Sequence, residues 1–115
     1  MEIKTKEVNS DFIILRLIGR FNIEEVLKFE EEFEKHLAMK KYIVLDLSAM
    51  KYIDSSGIGS LIKAMNFSKN MSIEFVLLDV NPSILNVFKL AYLDKFFVIV
   101  SSDDLQNRYP QYKFK

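Results

Sequence analysis

The sequence predicts a single α/β domain built on a mixed, largely parallel sheet, and three observations carry that reading. From residue 42 onward, short apolar runs (42–47, 73–78 and 96–100) alternate with stretches whose apolar residues recur at helical spacing. Ahead of them, residues 2–8 and 11–18 read as two strands joined by a turn at Asn9-Ser10, an antiparallel hairpin. Strand–helix alternation after such a hairpin implies parallel neighbours linked by right-handed crossovers. A chain of 115 residues has room for one such unit, 1–115, with its core over about 2–109 and a tail, 110–115, expected to fray.

Each element has its own warrant. Phe12 to Ile18 is almost continuously apolar, so both faces of that strand should be covered. Asn22 followed by Glu25 has the spacing of a capping box, with Asn in place of Ser or Thr, and predicts a helix running to about Met39. Val26, Phe29, Phe33 and Leu37 give that helix one apolar stripe. Lys40 and Lys41 follow where a helix C-terminus favours positive charge. Residues 42–47 read as a buried strand and Ser48 to Asp54 as a loop. A second helix begins near Ser56, with Ile58, Leu61, Ile62 and Met65 on its inner face. Ile73 to Leu78 is the next strand. Asn81-Pro82 is a clear start signal, Asn capping and Pro in the first helical position. Ile84, Leu85, Phe88 and Ala91 then form a core face. Residues 96–100 make the last strand, and Asp103 and Asp104 open a short fourth helix that Pro110 should stop. The expectation is about five strands and about four helices.

Composition removes several classes of function. Sixteen Lys plus Arg balance sixteen Asp plus Glu, so there is no basic footprint for nucleic acid or anionic lipid. The apolar runs are far too short to span a bilayer, and Met1 to Lys6 lacks the apolar stretch of a leader. The absence of cysteine rules out disulfides and thiolate nucleophiles and fits a reducing, cytoplasmic compartment. One histidine, His36, lies among the glutamates of the first helix and reads as a surface residue. With no cysteine and one histidine, a metal site is poorly supported. Ile53-Asp54-Ser55-Ser56-Gly57 lacks the first glycine of a nucleophile elbow, and no phosphate-cradling Gly-rich loop is present. Asp46 and Asp54 could pair, but sequence does not set their separation. The expectation is a binding module, not an enzyme, with no catalytic residue, cofactor or metal.

One segment stands out: Asp54-Ser55-Ser56-Gly57-Ile58-Gly59-Ser60, six of its seven residues small or acidic, between a buried strand and an amphipathic helix. The plainer reading is a helix cap, in which Asp54, Ser55 or Ser56 accepts from free backbone amides and the glycines ease a tight turn. The second reading adds exposure. Small side chains at a helix N-terminus leave hydroxyls and amides open to a partner. A serine there is a natural phosphate site, gaining about −1.5 to −2 charges on modification.

These residues carry a resemblance. Tyr42-Ile43-Val44-Leu45-Asp46-Leu47-Ser48, then Tyr52-Ile53-Asp54-Ser55-Ser56-Gly57-Ile58-Gly59, resembles the STAS domain of bacterial anti-sigma factor antagonists. Val80-Asn81-Pro82-Ser83 followed by Leu85, Phe88 and Leu93 looks like that family's next segment. The resemblance implies a mixed sheet with helices packed mostly on one face. It also implies a partner switch. The unphosphorylated protein binds an anti-sigma factor that is also a serine kinase, releasing a sigma factor. The kinase then phosphorylates the serine after the aspartate, and a serine phosphatase resets the cycle. By that match Ser55 is the phosphoacceptor. Asp54, Ser56, Gly57 and Ile58, with Arg20, Phe21 and Asn22 close by, form the docking surface. The chain departs from the family's common residues at Asn22, often an aspartate, and at Ala91-Tyr92-Leu93, where threonine-glycine-leucine is common.

A second reading stays open at this point: a STAS regulatory subunit of a membrane transporter or signalling scaffold, without a phosphate cycle. A phosphoacceptor-aspartate receiver does not fit, because residues 18–24 lack an acidic cluster and 96–104 lack a lysine.

Overall fold

The computed structural model describes residues 1–37 and 40–109. The elements are β1 (Glu2–Asn9), β2 (Phe12–Phe21), a 3-10 turn (Ile23–Glu25), α1 (Val26–Leu37), β3 (Tyr42–Asp46), β4 (Met50–Ile53), α2 (Ser55–Asn70), β5 (Glu74–Leu78), α3 (Pro82–Leu90), β6 (Val98–Val100) and α4 (Ser102–Arg108). The sheet order is β1-β2-β3-β5-β6, with β4 off this path and paired to β2. β1 runs antiparallel to β2, and every other pairing is parallel. The predicted α/β architecture with an antiparallel first hairpin is the observed one.

Strand side chains alternate between faces, and the two faces bury different cores. Ile13, Leu15 and Leu17 of β2, Ile43 and Leu45 of β3, and Phe75 and Leu77 of β5 pack under Phe29 and Phe33 of α1, Leu61 and Ala64 of α2, and Ile84 and Phe88 of α3. On the reverse face, Phe12, Ile14, Val44, Val76, Leu78 and Val100 meet Leu105 of α4 and Tyr109. Three helices therefore cover one face and a single short helix part of the other. The predicted apolar stripe of α1 is correct: Phe29 and Phe33 are buried, and Val26 and Leu37 pack partly against them. The predicted end of that helix near Met39, the tail 110–115 and the stop at Pro110 lie outside the described residues.

Several expectations change in detail. The stretch 48–54, read as a loop, contains β4. Met50 and Ile53 are buried, and the strand pairs with the far half of β2 at Gly19↔Met50, Arg20↔Tyr52 and Phe21↔Ile53. A four-residue strand with a register shift has no alternating pattern to detect. The second strand, expected over 11–18, runs on to Phe21, and Gly19 lies within it at the register shift, with φ +102°, a conformation that glycine adopts without steric penalty. Asn22 does cap, its side chain accepting from Glu24 N at 3.0 Å. Glu25 does not complete the box: its Oε1 accepts from the Met1 ammonium at 2.7 Å. That hydrogen bond holds the Glu25 carboxyl below the usual carboxylate range, against the opposing effect of partial desolvation. Lys40 is not a helix-end cation. It is buried, with Nζ 3.1 Å from Glu7 Oε2 and donating to the carbonyl of Ser10 at 3.1 Å, so it ties down the β1–β2 turn. Ala91 falls just past α3 and is exposed rather than in the core.

α3 begins as predicted: Asn81 accepts from Ile84 N at 3.1 Å, and its amide donates to the carbonyls of Leu47 and Met50. It ends in a Schellman turn, with Leu93 N donating to Phe88 O at 2.8 Å and Tyr92 N to Lys89 O at 3.1 Å. α4 is capped by Ser101, and Asp79 accepts from the Ser102 backbone amide and hydroxyl.

Ser68, in the last turns of α2, is completely buried, and its hydroxyl has no hydrogen-bond partner among the described residues. An unpaired buried hydroxyl is unfavourable, and Ala is the better helix former. Ser68→Ala is expected to stabilise the fold by about 1 kcal/mol, read as a rise of a few degrees in Tm by circular dichroism. A fall in Tm would mean that the hydroxyl has a partner.

Candidate functional site

The start of α2 is built from one residue outward. Asp54 adopts an extended backbone (φ −107°, ψ −174°) and its Oδ1 accepts from Ser56 N at 2.9 Å and Gly57 N at 3.1 Å. Its carbonyl accepts from Ile58 N at 2.9 Å, and its own amide donates to Phe21 O at 3.3 Å. Asp54 thus satisfies two of the helix's orphan amides and ties the helix start to the end of β2. The capping role expected for the Asp54–Ser56 segment is carried by Asp54 alone.

That division leaves Ser55 free of structural duty. It is the first residue of α2 and is exposed, while Ser56 is half-buried and Gly57 buried. Gly57 is buried for a steric reason: a Cβ there would lie 2.6 Å from Phe21 O and 2.8 Å from Ile53 Cγ1. Gly59 differs, since a Cβ there would meet nothing within 4 Å. Ile58 is half-buried and packs against the main core.

The three residues grouped with the site at the end of β2 go three ways. Phe21 is completely buried in the main core, so its contribution is to position α2. Arg20, its neighbour on the strand, points to the opposite face, where its guanidinium lies 4.2 Å from the centroid of the Tyr52 ring. Asn22 caps the turn that leads into α1. Asp46 is also on the reverse side: its Oδ1 accepts from Ser48 N at 2.9 Å and its Oδ2 lies 3.8 Å from Arg16 Nε. It closes a strand end. His36, expected at the surface, is half-buried beside Glu32, Nε2 to Oε2 3.5 Å.

Reading the segment alone misses the surface that continues from it. Ser55, Gly59, Ile62, Asn66 and Asn70 recur at helical spacing along the outer side of α2. Gly59, Ile62, Lys63, Asn66, Phe67 and Asn70 line a shallow groove of about 290 Å³. Phe67 is exposed beneath Lys63, whose Nζ is 3.3 Å from Glu30 of α1. The signal was available in the exposed phase of the helix.

Among the described residues, no group of three or more His, Cys, Asp or Glu side chains could hold a metal, and no helix is long and apolar enough to cross a membrane. The sequence model of the STAS domain matches residues 3–106. The fold is similar to that of the anti-sigma factor antagonist SpoIIAA in its unphosphorylated form, at 16% identity, covering 98% of this chain and 100% of that one, with a TM-score of 0.79. The phosphorylated form of the Bacillus protein SpoIIAA aligns at 17% identity over 93% and 98% of the two chains, TM-score 0.72. An anti-sigma factor antagonist from Mycobacterium paratuberculosis aligns at 19% identity over 93% of each chain, TM-score 0.76. At these identities the likeness is one of fold.

The two glycines of α2 should respond oppositely to alanine. Gly57→Ala forces a methyl into the Phe21 carbonyl and is expected to destabilise by roughly 1–3 kcal/mol. Gly59→Ala meets open space and is expected to stabilise by about 1 kcal/mol through helix propensity. Urea unfolding of both variants checks the pair, and equal effects would contradict the packing described.

Proposed function

The chain belongs to the STAS-domain family, and on that premise we propose that it is an anti-sigma factor antagonist of the bacterial cytoplasm, switched off by phosphorylation at Ser55. The observation that carries the reading is the separation of tasks at the α2 start. Asp54 holds the helix, and Ser55 offers an exposed hydroxyl that the fold does not use. Relatives of the same fold include anti-sigma factor antagonists, one of them in a phosphorylated form.

In this reading the partner is an anti-sigma factor with serine kinase activity. It docks on Ser55, Ser56 and the outer side of α2, with Asp54 at the edge. Gly57, Phe21 and the inner contacts of Ile58 set the position of that face. The kinase transfers the γ-phosphoryl group of ATP to Ser55 Oγ, ADP leaves, and the hydroxyl proton goes to a base on the kinase. The chain supplies the acceptor and its presentation. A serine phosphatase restores the hydroxyl.

The local electrostatics favour release over burial of the new charge. The amides of Ser56 and Gly57 are already taken by Asp54, so a phosphate on Ser55 sits beside a carboxylate with those donors engaged. A dianion in that place projects into any docked partner. Weakening a nanomolar complex to micromolar takes about 4 kcal/mol, within reach of a doubly charged group forced into a desolvated interface.

With the cognate kinase and ATP, the wild-type chain should gain the mass of one phosphate and Ser55→Ala none. Ser55→Glu should weaken kinase binding by two or more orders of magnitude while leaving Tm within a degree or two, because the hydroxyl makes no folding contact. Modification at another residue would sink the Ser55 assignment. Capture from native extract of a transporter, with no ATP-binding kinase, would instead favour the regulatory-subunit reading.

A further inference from the structure

The end of α3 carries an anomaly that the Ser55 reading does not use. Tyr92 occupies the left-handed position of the Schellman turn, φ +59°, where a bulky residue strains the backbone. The other non-glycine residues with positive φ, Ser72 and Asp79, are small and polar. The Tyr92 ring gains nothing from the fold in return: it is 91% exposed and makes no ring contact among the described residues. Leu90, at 75% exposure, and the half-exposed Phe96 flank it. Exposed Lys89 and Lys95 frame this apolar knuckle, against one half-buried acid, Asp94.

The chain also carries the complementary surface. Ile23, Leu27, Glu31 and Glu34 are spaced i, i+4, i+8, i+11 and are all exposed, forming one outward stripe. Ile23 and Leu27 are 67% and 66% exposed. The stripe therefore has two apolar residues at its start and two acids beyond, the inverse in charge of the Lys-framed knuckle. The stripe and the knuckle cannot meet within one molecule. The turn into α1 follows the C-terminal end of β2, whereas Tyr92 follows α3, at the end of the sheet where β6 begins.

We infer that the chain self-associates head to tail, the Leu90-Tyr92-Phe96 knuckle of one copy seating on the Ile23-Leu27 stripe of the next. The contact is heterologous, so it propagates unless its rotation closes a ring. Three large apolar side chains against two make a small interface, so association is weak and concentration-dependent. It is independent of the Ser55 reading.

Sedimentation equilibrium of the full chain, from low micromolar to near-millimolar concentration, should show an average mass that climbs past the dimer. Tyr92→Gly should raise Tm by relieving the strained backbone and weaken association by about tenfold or more. That combination separates loss of the contact from loss of the fold. Leu27→Ser should weaken association similarly, and Ser55→Ala should leave it unchanged. Mixing Tyr92→Gly with Leu27→Ser should restore one good contact and stop at a one-to-one pair. A monomer at every concentration, a dimer that grows no further, or association undiminished in both single variants would overturn the proposal while leaving the kinase-acceptor reading standing.

Discussion

The carbonyl of Phe21 is the point on which the site depends. It accepts the Asp54 amide, and Gly57 packs against it so closely that no side chain fits between. One main-chain oxygen thus fixes both the start of α2 and its distance from β2. The same contact explains the short strand β4. Ile53 must lie beside Phe21 for the chain to reach Asp54 at the right height, and the pairing Phe21↔Ile53 places it there. Once these are set, the first residue of α2 has nowhere to face except outward.

This arrangement divides neighbouring residues between those that hold the fold and one that only faces outward. Asp54 and Gly57 belong to the scaffold, because each makes contacts that the helix start requires. Ser55, between Asp54 and Ser56, makes no such contact. A surface group can change charge without unfolding its domain only when the groups that hold the backbone are different ones, and here the helix cap ends one residue before Ser55.

Much of this was legible in the sequence, and the exceptions have physical causes. The three parallel core strands and the caps at Asn22 and Asn81 follow from local rules: continuous apolar runs, or a side chain bonding to amides two or three residues on. The Asp54 cap and exposed Ser55 were visible as a small-residue turn before a helix. The resemblance groups Arg20, Phe21 and Asn22 as one surface patch, beyond a strand expected to end at Ile18. Read as strand, the same residues alternate, and Arg20 leaves for the opposite face. The Glu25 partner, the Met1 ammonium, is long-range in sequence and beyond any local pattern. Lys40 was assigned to a helix end because its true partners, Glu7 and the carbonyls of the hairpin turn, lie about thirty residues away. Local chemistry predicted elements, and long-range contacts decided which neighbours those elements share.

The ten residues of β2 serve two partners in succession: the first half pairs with β3 and the last three positions with β4. The sheet is therefore joined to β4 through a single strand. Lifting β4 breaks a three-position ladder, frees the Met50 carbonyl from Asn81 and uncovers Met50 and Ile53, yet leaves the β2–β3 ladder intact, so this end of the molecule can open for less free energy than unfolding the whole. Amide protons of Arg20 and Phe21 and of Met50 to Ile53 would then trade with solvent sooner than those at the centre of β3, and the start of α2 inherits some slack from the strand that delivers it.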